Sequence, residues 1–239
     1  MNFYARGLKV RNTYTVAAIV PETINPFFAI WVYYLEQALY KNGYKMLLCN
    51  TQGTIEKEQS YFRMAAQNKV DGIICVTYRD VEEYVQEDIP VVSLDRHFEK
   101  KICCVSSDNY HGGELAAEKM ISTGSTRLLY MRSGSILPGE TMKRGPGFVD
   151  YCHAHGVSVE TLDLGDDFEI FGDGNSSIDD VLQEFLIASR KSGKMRYDGI
   201  YTSTDSLAWV LLNQTKKLGI RVPEEVQIIG HDGLRMMNR

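Results

Sequence analysis

No apolar run in this 239-residue chain approaches the roughly 18–20 residues that a bilayer-spanning helix needs. The basic opening, MNFYARGLKVRN, is not followed by an apolar core and a small-residue cleavage site, so no secretory signal peptide is legible. Clustered basic charge is missing too. The 26 Lys and Arg are outnumbered by 31 Asp and Glu, giving a net charge of -5, a poor match to a phosphate backbone. The five cysteines (Cys49, Cys75, Cys103, Cys104, Cys152) are odd in number and never spaced CxxC, which argues against a disulfide framework or a zinc ribbon. Four of them, Cys49, Cys75, Cys103 and Cys104, lie in apolar strand-like runs. They read as small buried hydrophobes in a reducing compartment, the cytoplasm.

Catalytic signatures are equally scarce. No GxSxG, HExxH or Walker-type phosphate loop occurs. His153 and His155 stand at i and i+2 on a helical stretch, hence on different faces, and make a poor metal pair. The acidic stretch at 165–174 lacks EF-hand spacing, and its GDGN reads as a turn. No metal and no cofactor is expected, and nothing favours an enzyme.

What the chain does have is a nearly unbroken alternation of strand and helix signals. Strands are expected at 13–21, 44–50, 71–77, 89–96 and 102–109, then at 127–134, 157–164, 197–203 and 225–232. Helices fall between them: Pro26–Asn42 stopped by Gly43, 54–69 entered at Thr54, and a short acidic DVEEYVQE. They continue with YHGGELAAEKMIS capped by Asp108 or Asn109, GFVDYCHAHG, IDDVLQEFLIASRKSG and 205–219. Such alternation specifies an α/β fold, with parallel sheets covered by helices on both faces. Ten or so strands divide better into two sheets than one. The boundary is expected near Ser106–Asp108, and the cleft between two lobes is the expected site.

Polar residues gather where the strands end. Asn25 and Phe28 follow the first strand, Asp95 and Arg96 the fourth, Thr204 and Asp205 the 197–203 strand, and Asp232 the last. In open α/β sheets the carboxyl ends of the strands share one edge, so these groups can converge on a ligand. Carboxylates, a guanidinium and an aromatic face suit a polyhydroxylated molecule such as a sugar. Helix capping by Asp108 and Asp205, and core packing by Phe27, Trp31 and Tyr34, account for the same residues without a ligand.

Several stretches, in order, resemble the effector-binding core of lactose-repressor-type (LacI/GalR) bacterial transcription regulators. They are NFYARGLKVRNTYTVAAIVPETINPFF, EKEQSYFRMAAQNKVDGIICV, IPVVSLDR, VSSDNYHGGELAAEKMISTGSTRLLYM and DGIYTSTDSLAWVLLNQTKKLGIRVPEEVQIIGHD. The resemblance covers nearly the whole chain. It implies a type I periplasmic-binding-protein-like fold: two doubly wound parallel-sheet lobes, 14–107 and 108–239, after a hinge remnant at 1–13. It also implies effector contacts at Phe28, Asp95, Thr204, Asp232 and Arg144, the last from RGPGF. Phe28 is expected to stack on the ligand while Trp31 packs the lobe. Pro146 is expected to mark the start of a helix. The implied partners are a sugar, sugar phosphate or purine effector, a second copy of the chain, and operator DNA. The DNA would be read through a helix-turn-helix outside these 239 residues, and a C-terminal segment typical of the family also falls outside them. The rival readings are a sugar-transport binding protein, which shares the fold, and an α/β enzyme acting on sugars or nucleotides.

Overall fold

The computed structural model describes residues 12–77, 79–99, 102–134, 138–165 and 178–234. The chain divides into two compact units, Met1–Ser107 and Asp108–Arg239. The first is built from β1 (Thr15–Val20), α1 (Pro26–Lys41), β2 (Lys45–Asn50), α2 (Ile55–Gln67), β3 (Gly72–Cys75), β4 (Val91–Leu94) and β5 (Cys103–Val105). Its five strands are all parallel, in the order β2-β1-β3-β4-β5. β1 lies inside the sheet, and Val16 to Val20 are all buried, as expected of a strand covered on both faces. α1 starts where Asn25 accepts a hydrogen bond from the Phe27 amide and Pro26 supplies a first residue that needs no N–H partner. α2 turns Phe62 and Ala65 into the core shared with Ala17, Ile19 and Ile73.

The second unit runs α3 (Asn109–Ser122), β6 (Arg127–Arg132), α4 (Arg144–Ala154), β7 (Ser158–Asp163), α5 (Ile178–Ala188), β8 (Arg190–Lys191), β9 (Lys194–Met195), β10 (Gly199–Thr202), α6 (Asp205–Lys217) and β11 (Gln227–Ile229). Its main sheet has the order β11-β10-β6-β7, again parallel. Alternate residues of β6 feed two cores. Leu129 and Met131 pack with Leu182 and Leu186 of α5 and Leu207 and Leu211 of α6. Leu128 and Tyr130 pack with Ala117 and Met120 of α3 and Phe148 and Cys152 of α4. That is the period of two that places a strand's neighbours on opposite faces.

Helices α3 and α4 touch backbone to backbone. A Cβ at Gly113 would lie 2.2 Å from the Arg144 carbonyl oxygen, and one at Gly147 would lie 2.0 Å from that of Tyr110. Only glycine fits either place.

Each unit locks its first strand with the same device. Asp71, just before β3, accepts from the amides of Thr13 (3.0 Å) and Thr15 (3.1 Å), while its own amide donates to the Thr15 carbonyl (2.8 Å). Asp198, just before β10, accepts from the amides of Thr126 (2.9 Å) and Arg127 (2.8 Å), and its amide donates to the Arg127 carbonyl (3.0 Å). The glycine that follows each aspartate sits opposite Val16 in one sheet and Leu128 in the other.

Some local expectations change. Cys103 is exposed and Cys104 half-buried, because β5 is an edge strand with a neighbour on one side only. The acidic segment at 80–87 forms a single 3-10 turn, Glu82–Tyr84, held down by buried Val81 and Val85. The helix expected to run through Ser192 ends at Ala188. The chain then folds into the β8–β9 hairpin, turning through Ser192 and Gly193, both at positive φ, the geometry of a tight two-residue hairpin loop. Thr54 sits at the α2 N-cap, but its hydroxyl donates to the Thr51 carbonyl and makes no cap hydrogen bond. α4 begins at Arg144 rather than at Gly145–Pro146. Pro146 then falls in the first turn, where amides lack helical partners. The GDGN turn lies outside the described residues.

Candidate functional site

In the first unit the expected residues stand along the carboxyl ends of the strands. Asn25 holds its corner with both ends of its amide: the oxygen caps α1, and the nitrogen donates to Glu22 Oε1 at 3.1 Å. Phe28 is 4% exposed and meets Phe27 edge to face, with ring centroids 5.3 Å apart. Phe27 and Trp31 beside it are half-buried. Asp95 ends β4 with φ at 57°, the left-handed region that aspartate tolerates better than most residues. Arg96 follows. Its guanidinium lies over the Phe98 ring, 5.0 Å from the centroid, with Nη1 3.5 Å from Thr77 Oγ1 and donating to the Arg79 carbonyl.

The second unit gathers its residues more tightly. Arg144, at the start of α4, donates from Nε to Asn109 Oδ1 (2.7 Å) and from Nη1 to the Ser203 carbonyl (2.5 Å). The same Nη1 lies 3.4 Å from Asp232 Oδ1, and both side chains are 6% exposed. Asp232 Oδ2 accepts from the Asp205 amide at the first residue of α6 (3.1 Å), and Asp205 in turn accepts from the Leu234 amide (2.5 Å). Thr204, not Asp205, caps α6, its hydroxyl oxygen accepting from the Leu207 amide. Burial pushes the Asp232 carboxyl up from its ordinary value despite the attraction of Arg144. Taking a carboxylate out of water here costs more than one guanidinium contact at 3.4 Å returns.

Two further groups belong to this cluster. Asn109, 1% exposed, anchors Arg144 from the first residue of α3. His231 approaches the Tyr201 hydroxyl through Nδ1 at 2.5 Å. Burial and the nearby Arg144 push His231 down to about 4, and burial raises the Tyr201 phenol. Tyrosine therefore keeps its proton and donates it to Nδ1, which places the imidazole proton on Nε2. Sequence pattern shows Asn109 only as a possible cap, because a residue's depth beneath a helix crossing leaves no local mark. The structure thus joins Arg144, Asp205 and Asp232 directly, with Thr204 capping the helix that Asp205 begins. His153 is exposed, and the His155 ring stacks on Tyr151 at 4.1 Å. Among the described residues no group of His, Cys, Asp and Glu is placed to hold a metal.

Over residues 13–239 the sequence matches the family described as periplasmic binding proteins and the sugar-binding domain of the LacI family. The chain belongs to this family. Its LacI-type relatives include a sucrose operon repressor of Pediococcus pentosaceus, 32% identical over 99% of this chain and 69% of that protein. A ribose operon repressor of Bacillus subtilis is 33% identical over 98% of this chain and 69% of that protein. A PurR repressor of Photobacterium profundum is 29% identical over 96% of this chain and 68% of its own length. Among solved structures, a periplasmic binding protein/LacI transcriptional regulator of Alkaliphilus metalliredigens, complexed with D-xylulofuranose, superposes with a TM-score of 0.76. It is 31% identical, over 91% of this chain and 77% of that one. The family's periplasmic-binding-protein-like fold of parallel sheets and helices is the fold described above.

Proposed function

We propose that this chain is the effector-binding part of a ligand-responsive bacterial transcription repressor, and that its effector is a sugar. The observation that carries the reading is the Arg144 cluster. A guanidinium fixed by Asn109, the Ser203 carbonyl and Asp232 keeps Nη2 without a hydrogen-bond partner among the described residues. With Asp232 and Asp205 beside it, this is a rigid fork of donors and acceptors of the kind that reads hydroxyl groups. Relatives named for sucrose and ribose operons support a sugar. The PurR relatives keep a purine in view, and Arg96 and Arg144 would also suit a sugar phosphate. Asp95, Arg96, Asn25 and Phe28 are proposed as the first unit's contribution, and Thr204 as a further contact in the second.

The protein is proposed to act in the cytoplasm, as a non-enzymatic homodimer that reaches operator DNA through a helix-turn-helix outside these 239 residues. No helix among the described residues is long and apolar enough to cross a membrane. α1 presents Ile30, Tyr33, Tyr34 and Tyr40 at the surface, a largely apolar and aromatic face suited to self-association. An effector changes operator affinity only if it binds the two states of the regulator unequally, a coupling of about 1–3 kcal/mol in most such systems.

The test is thermal unfolding of the purified chain with sucrose, D-ribose, D-xylulose, their phosphates and purine bases. A ligand at a hundred times its Kd stabilises the folded state by about 2.7 kcal/mol. The reading expects a sugar to do so, and expects Arg144→Lys to weaken that sugar at least tenfold while the chain stays folded. Stabilisation by a purine alone would replace the sugar. Unchanged sugar binding in Arg144→Lys would remove the cluster from the site.

A further inference from the structure

His231 follows β11 across Gly230 and stands next to Asp232 in the chain, and its half-buried ring is held on two sides. Tyr201, whose own ring packs between Phe148 and Tyr130, brings its hydroxyl to 2.5 Å from Nδ1. The first turn of α3 closes in from elsewhere: a Cβ at Gly112 would lie 2.5 Å from Cε1 and 3.1 Å from Nε2. Glycine at 112 is what admits the ring. Gripped in this way, the imidazole has one direction in which to point.

The ring is neutral in the fold, because burial and the nearby Arg144 both disfavour its charged form. With Nδ1 accepting from tyrosine, the ring proton sits on Nε2. Nε2 has no hydrogen-bond partner among the described residues.

A second unused group stands at the end of β10. The buried polar atoms without a partner among the described residues include Glu58 Oε1 in α2, in the other unit, and Ser203 Oγ here. Ser203 is 8% exposed, and its carbonyl already receives Arg144. Folded proteins leave few such groups unpaired. An idle N–H and an idle hydroxyl therefore flank the partners of Arg144: Ser203 lends it a carbonyl, and His231 precedes Asp232. A bound molecule with its own hydroxyl groups would complete that bonding. Arg144 donates there as a cation, and Asp205 and Asp232 can only accept while ionised. A neutral N–H adds a donor that suits an uncharged oxygen.

We propose that His231 is a further effector-binding residue, its Nε2–H donating to a hydroxyl oxygen of the sugar, with Tyr201 and Gly112 as the positioning residues that aim it. This role presupposes a sugar at the Arg144 cluster, and the test separates the two.

The experiment uses the full 239-residue chain, its histidine rings labelled with nitrogen-15, and whichever of sucrose, D-ribose and D-xylulose stabilises it. Long-range proton–nitrogen NMR spectra are expected to show His231 as the Nε2–H tautomer before sugar is added. The Nε2 resonance is expected to move as sugar saturates the chain. An Nδ1–H tautomer would overturn the proposal, as would a sugar that binds and leaves Nε2 unmoved. Affinity gives a second readout. Replacing both partners, Tyr201→Phe with His231→Phe, removes the pair without stranding a buried hydroxyl. This variant is expected to bind the sugar about five- to tenfold more weakly. It is expected to match the parent on the one deoxy analogue that lacks the oxygen His231 holds. Equal weakening towards the sugar and all its deoxy analogues would show a structural effect alone and overturn the contact. Should the variant not fold, the spectra of the parent chain decide. A sugar weakened by Arg144→Lys but not by the double variant would strike His231 from the site and keep the sugar reading. No stabilisation by any sugar would remove that reading and this role with it.

Discussion

Arg144 and Asp232 show why single residues in this cluster are costly to remove. Each is the other's nearest opposite charge, and both are nearly out of water. Truncating the arginine strands a buried carboxylate. Arg144→Ala is therefore expected to destabilise the second unit by about 3–5 kcal/mol, measured by chemical denaturation, and effector loss in that variant would not by itself identify a contact. Arg144→Lys, which keeps a cation but not the planar fork, separates the two effects. His231 carries a pH prediction. It stays neutral in the fold down to about pH 4, whereas an exposed histidine takes up its proton near 6.5. Between those values the unfolded chain binds the proton first, so stability falls as pH drops from 6.5 towards 4, by about 2–3 kcal/mol in all. Denaturation midpoints across that range are expected to show this slope, and His231→Gln is expected to flatten it.

At the scale of elements, backbone contact between α3 and α4 sets where Arg144 sits. Gly147→Ala places a methyl group 2.0 Å from the Tyr110 carbonyl oxygen, and the helices must part to admit it. A loss of about 1–3 kcal/mol is expected, with Arg144 drawn away from Asn109. Asp198→Ala removes three hydrogen bonds to a charged acceptor and is expected to cost about 2–3 kcal/mol. Denaturant titration checks both. Much at this scale is legible in the sequence, because period and punctuation are local. Asn25–Pro26 announces α1, Gly43 stops it, and the apolar run at 71–77 marks an interior strand. The acidic segment at 80–87 and the hairpin after Ala188 are not legible. A single turn pinned by Val81 and Val85 and a two-residue reversal at Ser192–Gly193 depend on what the neighbouring chain covers. Edge position is invisible for the same reason, which is why Cys103 reads as buried and is not. Of the candidate site, the strand-end residues can be found from the pattern. The partners that fix them, Asn109, the Ser203 carbonyl and the Tyr201–His231 pair, emerge only when distant segments are brought together.

For the whole molecule, the two units are expected to answer pH in opposite directions. Glu58 takes up a proton more readily in the fold than its ordinary 4.5 allows. Its contribution to the first unit is therefore fully present below 4.5 and lost as pH rises through 7. His231 makes the second unit weaken as pH falls below 6.5. The chain has two tryptophans, Trp31 in α1 and Trp209 in α6, one to each unit. Fluorescence of Trp31→Phe and Trp209→Phe variants during unfolding reports the units separately. Trp31 should report earlier unfolding at pH 8 than at pH 5, and Trp209 the reverse. A single shared profile would show that the units unfold as one.

The aspartate clasps at Asp71 and Asp198 bear on where such a molecule comes from. Each aspartate precedes a glycine, sits in the same register against the first strand of its unit, and takes the amide of the matching strand residue, Thr15 or Arg127, with one further amide upstream, Thr13 in one unit and Thr126 in the other. Two unrelated halves have no reason to agree on so small a detail. A half that was copied and joined to itself would inherit it, and drift elsewhere would leave the clasp as a trace of common descent.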